Sequence, residues 1–469
     1  MSDTSSQRWY ERVPHPAVLI VMMLILVWGL TWLVPSGEYE RHAVAGREAV
    51  IPGTFTLTDT TPPSPLAIFH AVPLGMVAAS SIIFAVFIGG GLFRVLEATG
   101  ALERLIGTLV DRLGSDRPAL LIWLMTFVFG ALGVAVGYEN NIALVPIAVL
   151  LGTALGGDRL TGAGIAICGV GIGFATSPIN VYTVGVADRI AQLPLFSGAL
   201  LRSVLCLGAL AIAAHHITRY LARIRHAPER SLMPPADELT DEGGESAPPR
   251  GHRLVKRDWA VLGVFVLGLA IMLYGVFALG WYINEIAATF LAIAIVAGLT
   301  GGMRPGTLNA RFFEGAASVT TGALLVGLAR GIEVLLDQGH IADTIVHALS
   351  APLSALPVLG SALAMTVVHA LINFFIPSGS GQAIVTMPIM IPLSDLLGMT
   401  RQTAILAFQV GDGLTNLIVP TSGGTLAMLA VAGVPFDRWV RFFFPLLMKL
   451  FLLSWFALSV AVAIQWGPA

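Results

Sequence analysis

Gly137-Tyr138-Glu139-Asn140-Asn141 and Pro377-Ser378-Gly379-Ser380-Gly381-Gln382 are the two stretches whose reading decides the fold of this chain. Each sets small and polar residues inside a long apolar run, where a membrane helix has none. Backbone that unwinds inside hydrocarbon persists only if it is buried in protein or lines a wet cavity. Two such interruptions at matching places in two halves of a chain point to a solute-binding site.

The composition around them agrees. The chain has 469 residues, 56% hydrophobic and 12% charged, with a mean hydropathy of +0.82. A soluble domain is about 25% charged, so the reading is an all-α polytopic membrane protein. The Lys and Arg residues sit in loops without aromatic interleaving, which excludes a nucleic-acid partner. Cys168 and Cys206 lie in apolar helices and imply packing, not a disulfide framework or a metal site. The run 17–34 is long for a signal-peptide core, and Pro35-Ser36-Gly37-Glu38 offers no small-x-small cleavage site. It reads as a retained first span.

After a polar connector over 38–65, a second span is expected at 77–96 and an amphipathic surface piece at 101–113. The runs 119–136 and 142–155 flank the first interruption. The second of these is shorter than the roughly 20 residues a span requires, so 119–155 is read as a re-entrant hairpin. A helix over 161–187 is broken at Ala175–Asn180, and a span follows at 200–221. Residues 223–257, rich in Pro, Gly and clustered acids, read as a disordered cytoplasmic linker. It separates a first repeat (1–222) from a second (258–469). The second has spans at 259–277, 282–299 and 319–336, a hairpin over 353–397, a broken helix over 403–430 and a last span at 442–464. The interruption of that broken helix is expected around Asp412–Asn416 and Pro420–Ser422.

The distribution of positive charge fixes the expected orientation. With the linker and the N-terminus cytoplasmic and each hairpin counted as no crossing, about 18 Lys or Arg fall inside and about four outside. Counting either hairpin as a crossing spoils that asymmetry. The total is about ten spans. The halves align at an offset of about 240 residues, Gly100 with Gly339, Pro146 with Pro388 and Thr176 with Thr415. One extra crossing, 282–299, inverts the second half, so the hairpins enter from opposite faces and their tips can meet.

At such a meeting point, free N–H groups and the positive dipole end of each second leg suit a carboxylate. Asn140, Asn141, Ser378, Gly379, Ser380, Gly381 and Gln382 supply neutral hydrogen bonds. Unwound carbonyls with Thr176, Ser177, Asn180, Thr415 and Asn416 suit a small hard cation such as Na⁺, and Asn416, Thr421 and Ser422 also face the substrate. The bland alternative is helix–helix hydrogen bonding, and four repeat-related clusters weigh against it. Glu139 and Asp412, charges inside the apolar runs, read as an ammonium partner, a cation ligand or a proton carrier. Arg330 with Glu333 one turn on is either a structural pair or a carboxylate clamp. Glu285 beside Trp281 and Tyr282 reads as interfacial, and His369 and Asn373 as hairpin packing.

These residues carry a resemblance. The run GSGQAIVTMPIMIPLSDLLGMTRQTAILAFQVGDGLTNLIVPTSG (379–423), with VPSGEYER (34–41) and FRVLEATGALERLIG (93–107), resembles the YfcC-like branch of the four-carbon dicarboxylate anaerobic carrier family. The resemblance implies an elevator transporter of the inner membrane, a scaffold that forms a homodimer, and a transport domain holding both hairpins and both broken helices. It implies a dicarboxylate or amino-acid substrate, with exchange of basic amino acids as the alternative. The family's first tip is often a pair of acids; Glu139-Asn140 stands here, which weakens the case for a doubly basic substrate. An enzyme would need a nucleophile–base or metal constellation, and none is visible. A channel would need a continuous polar face along several spans. No cofactor is expected apart from a coupling Na⁺.

Overall fold

The computed structural model describes residues 16–44, 47–102, 104–105, 108, 117–180, 182–233 and 254–468. The linker from 234 to 253, most of the 101–113 piece and the polar residues ahead of the first span lie outside these. Helices dominate, because apolar runs in lipid must satisfy their backbone internally. The 38–65 connector is not structureless: it forms two antiparallel ribbons. Strand β1 (Gly37–Glu38) pairs with β4 (Thr56–Leu57), and β2 (Arg41–Val44) with β3 (Arg47–Val50). Among the described residues, seven helices are long and apolar enough to cross a membrane, and one bent pair makes an eighth.

The helices fall into two groups. The first contains α1 (Pro16–Leu33), α2 (Leu66–Ala78) and α3 (Ser80–Thr99). The span expected at 77–96 is α3, preceded by α2 across a break at Ala79. The second group opens with α4 (Pro118–Val136), α5 (Glu139–Ala154, starting as a 3-10 turn), α6 (Arg159–Ala175), α7 (Val184–Ile190) and α8 (Ala199–His226). Past the linker, the first group resumes with α9 (Lys256–Leu279), α10 (Ile283–Thr300), α11 (Pro305–Ser318) and α12 (Thr320–Gln338). Helix α11 was not expected. Its one-sided apolar pattern is too short to read as a span. It meets α12 at 46° across Val319, 240 residues after the break at Ala79. Helix α13 (Ala342–Ser350) then leads back to the second group: α14 (Val358–Phe375), α15 (Gly379–Leu396), α16 (Arg401–Thr415), α17 (Gly423–Ala432) and α18 (Phe436–Ala463).

Packing within each group exchanges equivalent elements. Helix α2 packs on α12 and α3 on α11; α1 lies on α12 and α10 on α3. By packing, α10 stands to α3 as α1 stands to α12. In the second group α4 lies on α6 as α14 lies on α16. The linker boundaries shift as well: α8 runs on through Arg223–His226, and α9 begins at Lys256.

Small residues let the backbones touch, as expected where lipid offers no hydrophobic drive for helix pairing. A Cβ added at Gly75 would stand 2.4 Å from Gly327 O and 2.5 Å from Gly331 N. Gly75→Ala is therefore expected to push α2 off α12. Overpacking of this kind costs about 1–3 kcal/mol, which thermal unfolding in detergent would register as a lower Tm. An unchanged Tm would show that the crossing is loose.

The ribbons dock on α13. Buried Asp343 accepts from Arg41 Nη2 at 3.0 Å and from Tyr39 N at 3.0 Å. The Phe55 ring stacks on His347 at 4.3 Å, and the Tyr39 hydroxyl meets His347 Nδ1 at 2.8 Å. The segment joining the two helix groups is thereby clamped on one side.

Candidate functional site

The chain breaks at both interruptions. Helix α4 ends at Val136, and Gly137 turns at φ 103° and ψ −173°, a conformation open only to glycine. The next residues tighten into a 3-10 turn over Glu139–Leu144. Asn141 Nδ2 donates to Gly137 O at 2.6 Å, which closes the turn. At the other interruption α14 ends at Phe375, and Ser378 caps α15, its Oγ accepting from Gly381 N at 3.3 Å. Ser380 is half-buried in the first turn of α15.

The broken helices also separate where small and polar residues cluster. Helix α6 ends at Ala175 and α7 starts at Val184. Helix α16 continues to Thr415, so Asp412 and Gly413 are helical and the second break covers 416–422, later than the sequence suggested. The two breaks cross at their starts: a Cβ at Gly413 would lie 2.6 Å from Ala175 Cα.

Contacts join the two tips through the second break. A Cβ built on Gly379, at the start of α15, would be 2.9 Å from Asp412 Oδ2 and 2.5 Å from Thr183 Cγ2. Asn416 Nδ2 donates to Asp412 Oδ1 at 3.5 Å. Asn416 O accepts from the Thr425 hydroxyl, which meets the Tyr138 hydroxyl at 2.6 Å. Glu139 follows Tyr138, and its Cγ would be 3.1 Å from a Cβ at Gly424 in the first turn of α17. Both acids therefore stand against the start of a helix, where backbone N–H groups and the dipole favour negative charge. Glu139 is within electrostatic reach of both Asp412 and Arg330. Asp412 is fully buried, Glu139 half-buried, and Asn140 and Asn141 are buried beside it.

Several predicted residues face elsewhere. Gln382 turns its amide N back to His369 O at 3.0 Å and to His369 Nδ1 at 3.1 Å, tying the start of α15 to α14. At the first break, Thr176 donates to Ile172 O at 2.6 Å and Ser177 Oγ accepts from Ile179 N at 3.2 Å. Asn180 Oδ1 accepts from Tyr182 N at 2.8 Å. These three side chains brace their own turn. Thr415 is held by Asn373 Nδ2 at 2.9 Å, and Ser422 Oγ donates to Thr425 Oγ1 at 3.3 Å. Buried oxygens without a hydrogen-bond partner among the described residues include Asp412 Oδ2, Asn373 Oδ1, Thr183 Oγ1, Thr421 Oγ1 and Asn141 Oδ1. Glu285 accepts from Tyr282 N at 3.0 Å at the exposed start of α10. Arg330 makes an ion pair with Glu333.

Sequence reading passed over Arg202. It is fully buried on α8, donates from Nε to Gln409 Oε1 at 2.8 Å and lies over the Trp466 ring at 5.2 Å. Gln409 Nε2 in turn donates to Ser177 O at 2.8 Å, holding the first break open from the other half of the chain. The signal is a lone Arg inside the apolar run 200–210, where a charge within a span is costly.

The model of the DcuC family, C4-dicarboxylate anaerobic carrier, matches residues 13–463. An Escherichia coli K12 protein named "Putative basic amino acid antiporter YfcC" is 32% identical over 494 aligned positions, covering 96% of each chain. An uncharacterized Haemophilus influenzae protein is 27% identical, covering 98% of this chain and 99% of its own. Among solved structures, the Alcanivorax borkumensis YdaH transporter matches with TM-score 0.45 and 19% identity, covering 97% of this chain and 100% of its own. Neisseria gonorrhoeae MtrF matches with TM-score 0.43 and 16% identity, covering 98% and 97%.

Proposed function

Because the chain belongs to the DcuC family of C4-dicarboxylate anaerobic carriers, we propose that it is a secondary active transporter for a small carboxylate-bearing metabolite, and specifically for an amino acid. The observation that carries the choice is the pair Glu139 and Asp412, both at the meeting of the tips and each beside a helix start. Two carboxylates repel a dianion and attract an ammonium group. The helix starts at Gly379 and Gly423 supply N–H groups for the substrate carboxylate. Exchange of basic amino acids is the second reading, favoured by there being two acids rather than one.

In this reading α4–α8 and α14–α18 form the transport domain, and α1–α3 with α9–α12 the dimerising scaffold. The exchanged packing of α2–α3 and α11–α12 is the mark of an inverted repeat, and the interruptions at 137–141 and 376–378 are the tips of re-entrant hairpins. The transport domain slides past the scaffold in the inner membrane as an elevator. Among the described residues, Asp412 Oδ2, Asn373 Oδ1 and Thr421 Oγ1 are unpartnered buried oxygens at the second break, a donor set that suits a hard cation. Asp412, Thr415 and Asn416 would hold a coupling Na⁺ there, or Asp412 a coupling proton. Since the first-break side chains are committed to their own turn, Thr176, Ser177 and Asn180 shape the site from behind.

Uptake of labelled arginine, alanine and succinate into proteoliposomes, with a Na⁺ gradient, a proton gradient or neither, tests this. Amino-acid uptake that succinate fails to inhibit is expected. Uptake of succinate alone would overturn the substrate assignment, and the gradient that drives uptake identifies the ion.

A further inference from the structure

We propose that Arg330 is the coupling residue of this carrier, a fixed positive charge on the scaffold that pairs with Glu139 when the transport domain is empty and so makes exchange faster than net flux. The inference rests on the transport reading above and goes beyond it, since that reading gives Arg330 no part.

Gly322, Val326 and Arg330 follow one another at four-residue intervals and share one face of α12. Helix α17 lies along that face. A Cβ at Gly322 would fall 2.0 Å from Ala430 Cβ, and one at Gly423 would fall 2.8 Å from Val326 Cγ1. Gly423 begins α17, so Arg330, one turn beyond Val326, projects past the start of that helix. Glu139 lies there as well, its Cγ packed toward Gly424. The Arg330 charge thus lies within electrostatic reach of Glu139 across the boundary between the two helix groups. On its own helix Arg330 pairs with Glu333, with Asp337 a further turn on; from the transport side it faces Glu139, with Asp412 behind. The Arg330 side chain is 37% exposed, so it retains the freedom to share its charge.

Sliding one group past the other parts these charges, and parting opposite charges at a poorly solvated boundary is costly. A ligand cation that neutralises Glu139 removes the attraction. The empty domain is therefore held back while the loaded domain is released, so loaded domains cross faster than empty ones. A ligand moves such an equilibrium only through its different affinity for the two states; Arg330 supplies that difference.

Two measurements on the full-length protein decide it. In proteoliposomes loaded with labelled arginine, efflux is compared with and without unlabelled arginine outside. Arg330→Gln is expected to raise efflux without external arginine about tenfold relative to exchange, while Arg330→Lys and Glu333→Gln keep the wild-type ratio. An unchanged ratio in Arg330→Gln, or an equal loosening in Glu333→Gln, would overturn the proposal, the latter by reducing Arg330 to one half of a structural pair. The second measurement needs no substrate: the yield of oxidative cross-linking between Val326→Cys and Gly423→Cys in the empty protein. Arg330→Gln should lower that yield severalfold, and an unchanged yield counts against the lock. If wild-type protein moves no arginine, the substrate assignment fails, and the cross-link still decides this inference.

Discussion

Asp412→Asn is expected to lower transport about 10- to 100-fold, since hydrogen bonds to charged groups are worth about 1.5–3 kcal/mol and the exchange removes one at constant shape. Asp412 sits in the last turn of α16, fully buried. Its Oδ2 has no partner among the described residues, and Oδ1 has only a 3.5 Å contact with Asn416. A buried carboxylate so weakly satisfied destabilises the fold, so removing its charge should leave the Tm unchanged or raise it. Loss of transport with retained stability is the signature of a ligand-facing group; loss of both would make Asp412 structural, and retention of transport would remove it from the site. Glu139→Gln is expected to act similarly. If both acids hold one cationic group, the double variant loses less than the product of the single losses. Direct uptake and thermal unfolding of the three variants give all these quantities.

The periodicity of apolar runs was enough to place α4, α6, α8, α14, α16 and α18, because in lipid length and hydropathy dictate helix. The two interruptions were legible for the same reason turned round: small and polar residues follow the helix ends at Val136 and Phe375. What stayed hidden depends on contacts across the chain. The breaks at Ala79 and Val319 are marked only by short Ser and Thr runs, Ser80-Ser81 and Ser318 with Thr320-Thr321, and the close crossing of Gly75 with Gly327 and Gly331 accounts for how α2 must lie. The ribbons over 37–57 are specified by docking on Asp343 and His347, some 300 residues away. Within the site, the residue types were read correctly but not their partners. Gln382 reads as a ligand from its position, and its amide N is committed to His369 while Oε1 has no partner among the described residues. Thr425 looks unremarkable in sequence, and with Asn416, which the sequence did mark, it bridges the two interruptions.

A disulfide between Val326→Cys and Gly423→Cys is expected to abolish transport, with recovery on reduction. The two residues lie on opposite sides of the boundary between helix groups, Val326 on α12 and Gly423 at the first position of α17. A Cβ built on Gly423 stands 3.6 Å from Val326 Cβ, inside the roughly 3.5–4.5 Å that a disulfide requires. Gly423→Cys alone would press its Cβ to 2.8 Å from Val326 Cγ1, a contact that Val326→Cys removes with the branched methyls. The pair should therefore fold better than that single variant. The native thiols, Cys168 and Cys206, are buried within α6 and α8 and do not compete. An elevator must shear this boundary at every turnover, so one covalent bond across it stops the cycle while leaving the substrate-holding side chains untouched. Oxidised protein should still bind its substrate, measured as a ligand-induced rise in Tm, and yet fail to move it. Full transport through a cross-link verified by mass spectrometry would mean that these helices never part, and the sliding mechanism would have to give way to one in which only the tips open and close.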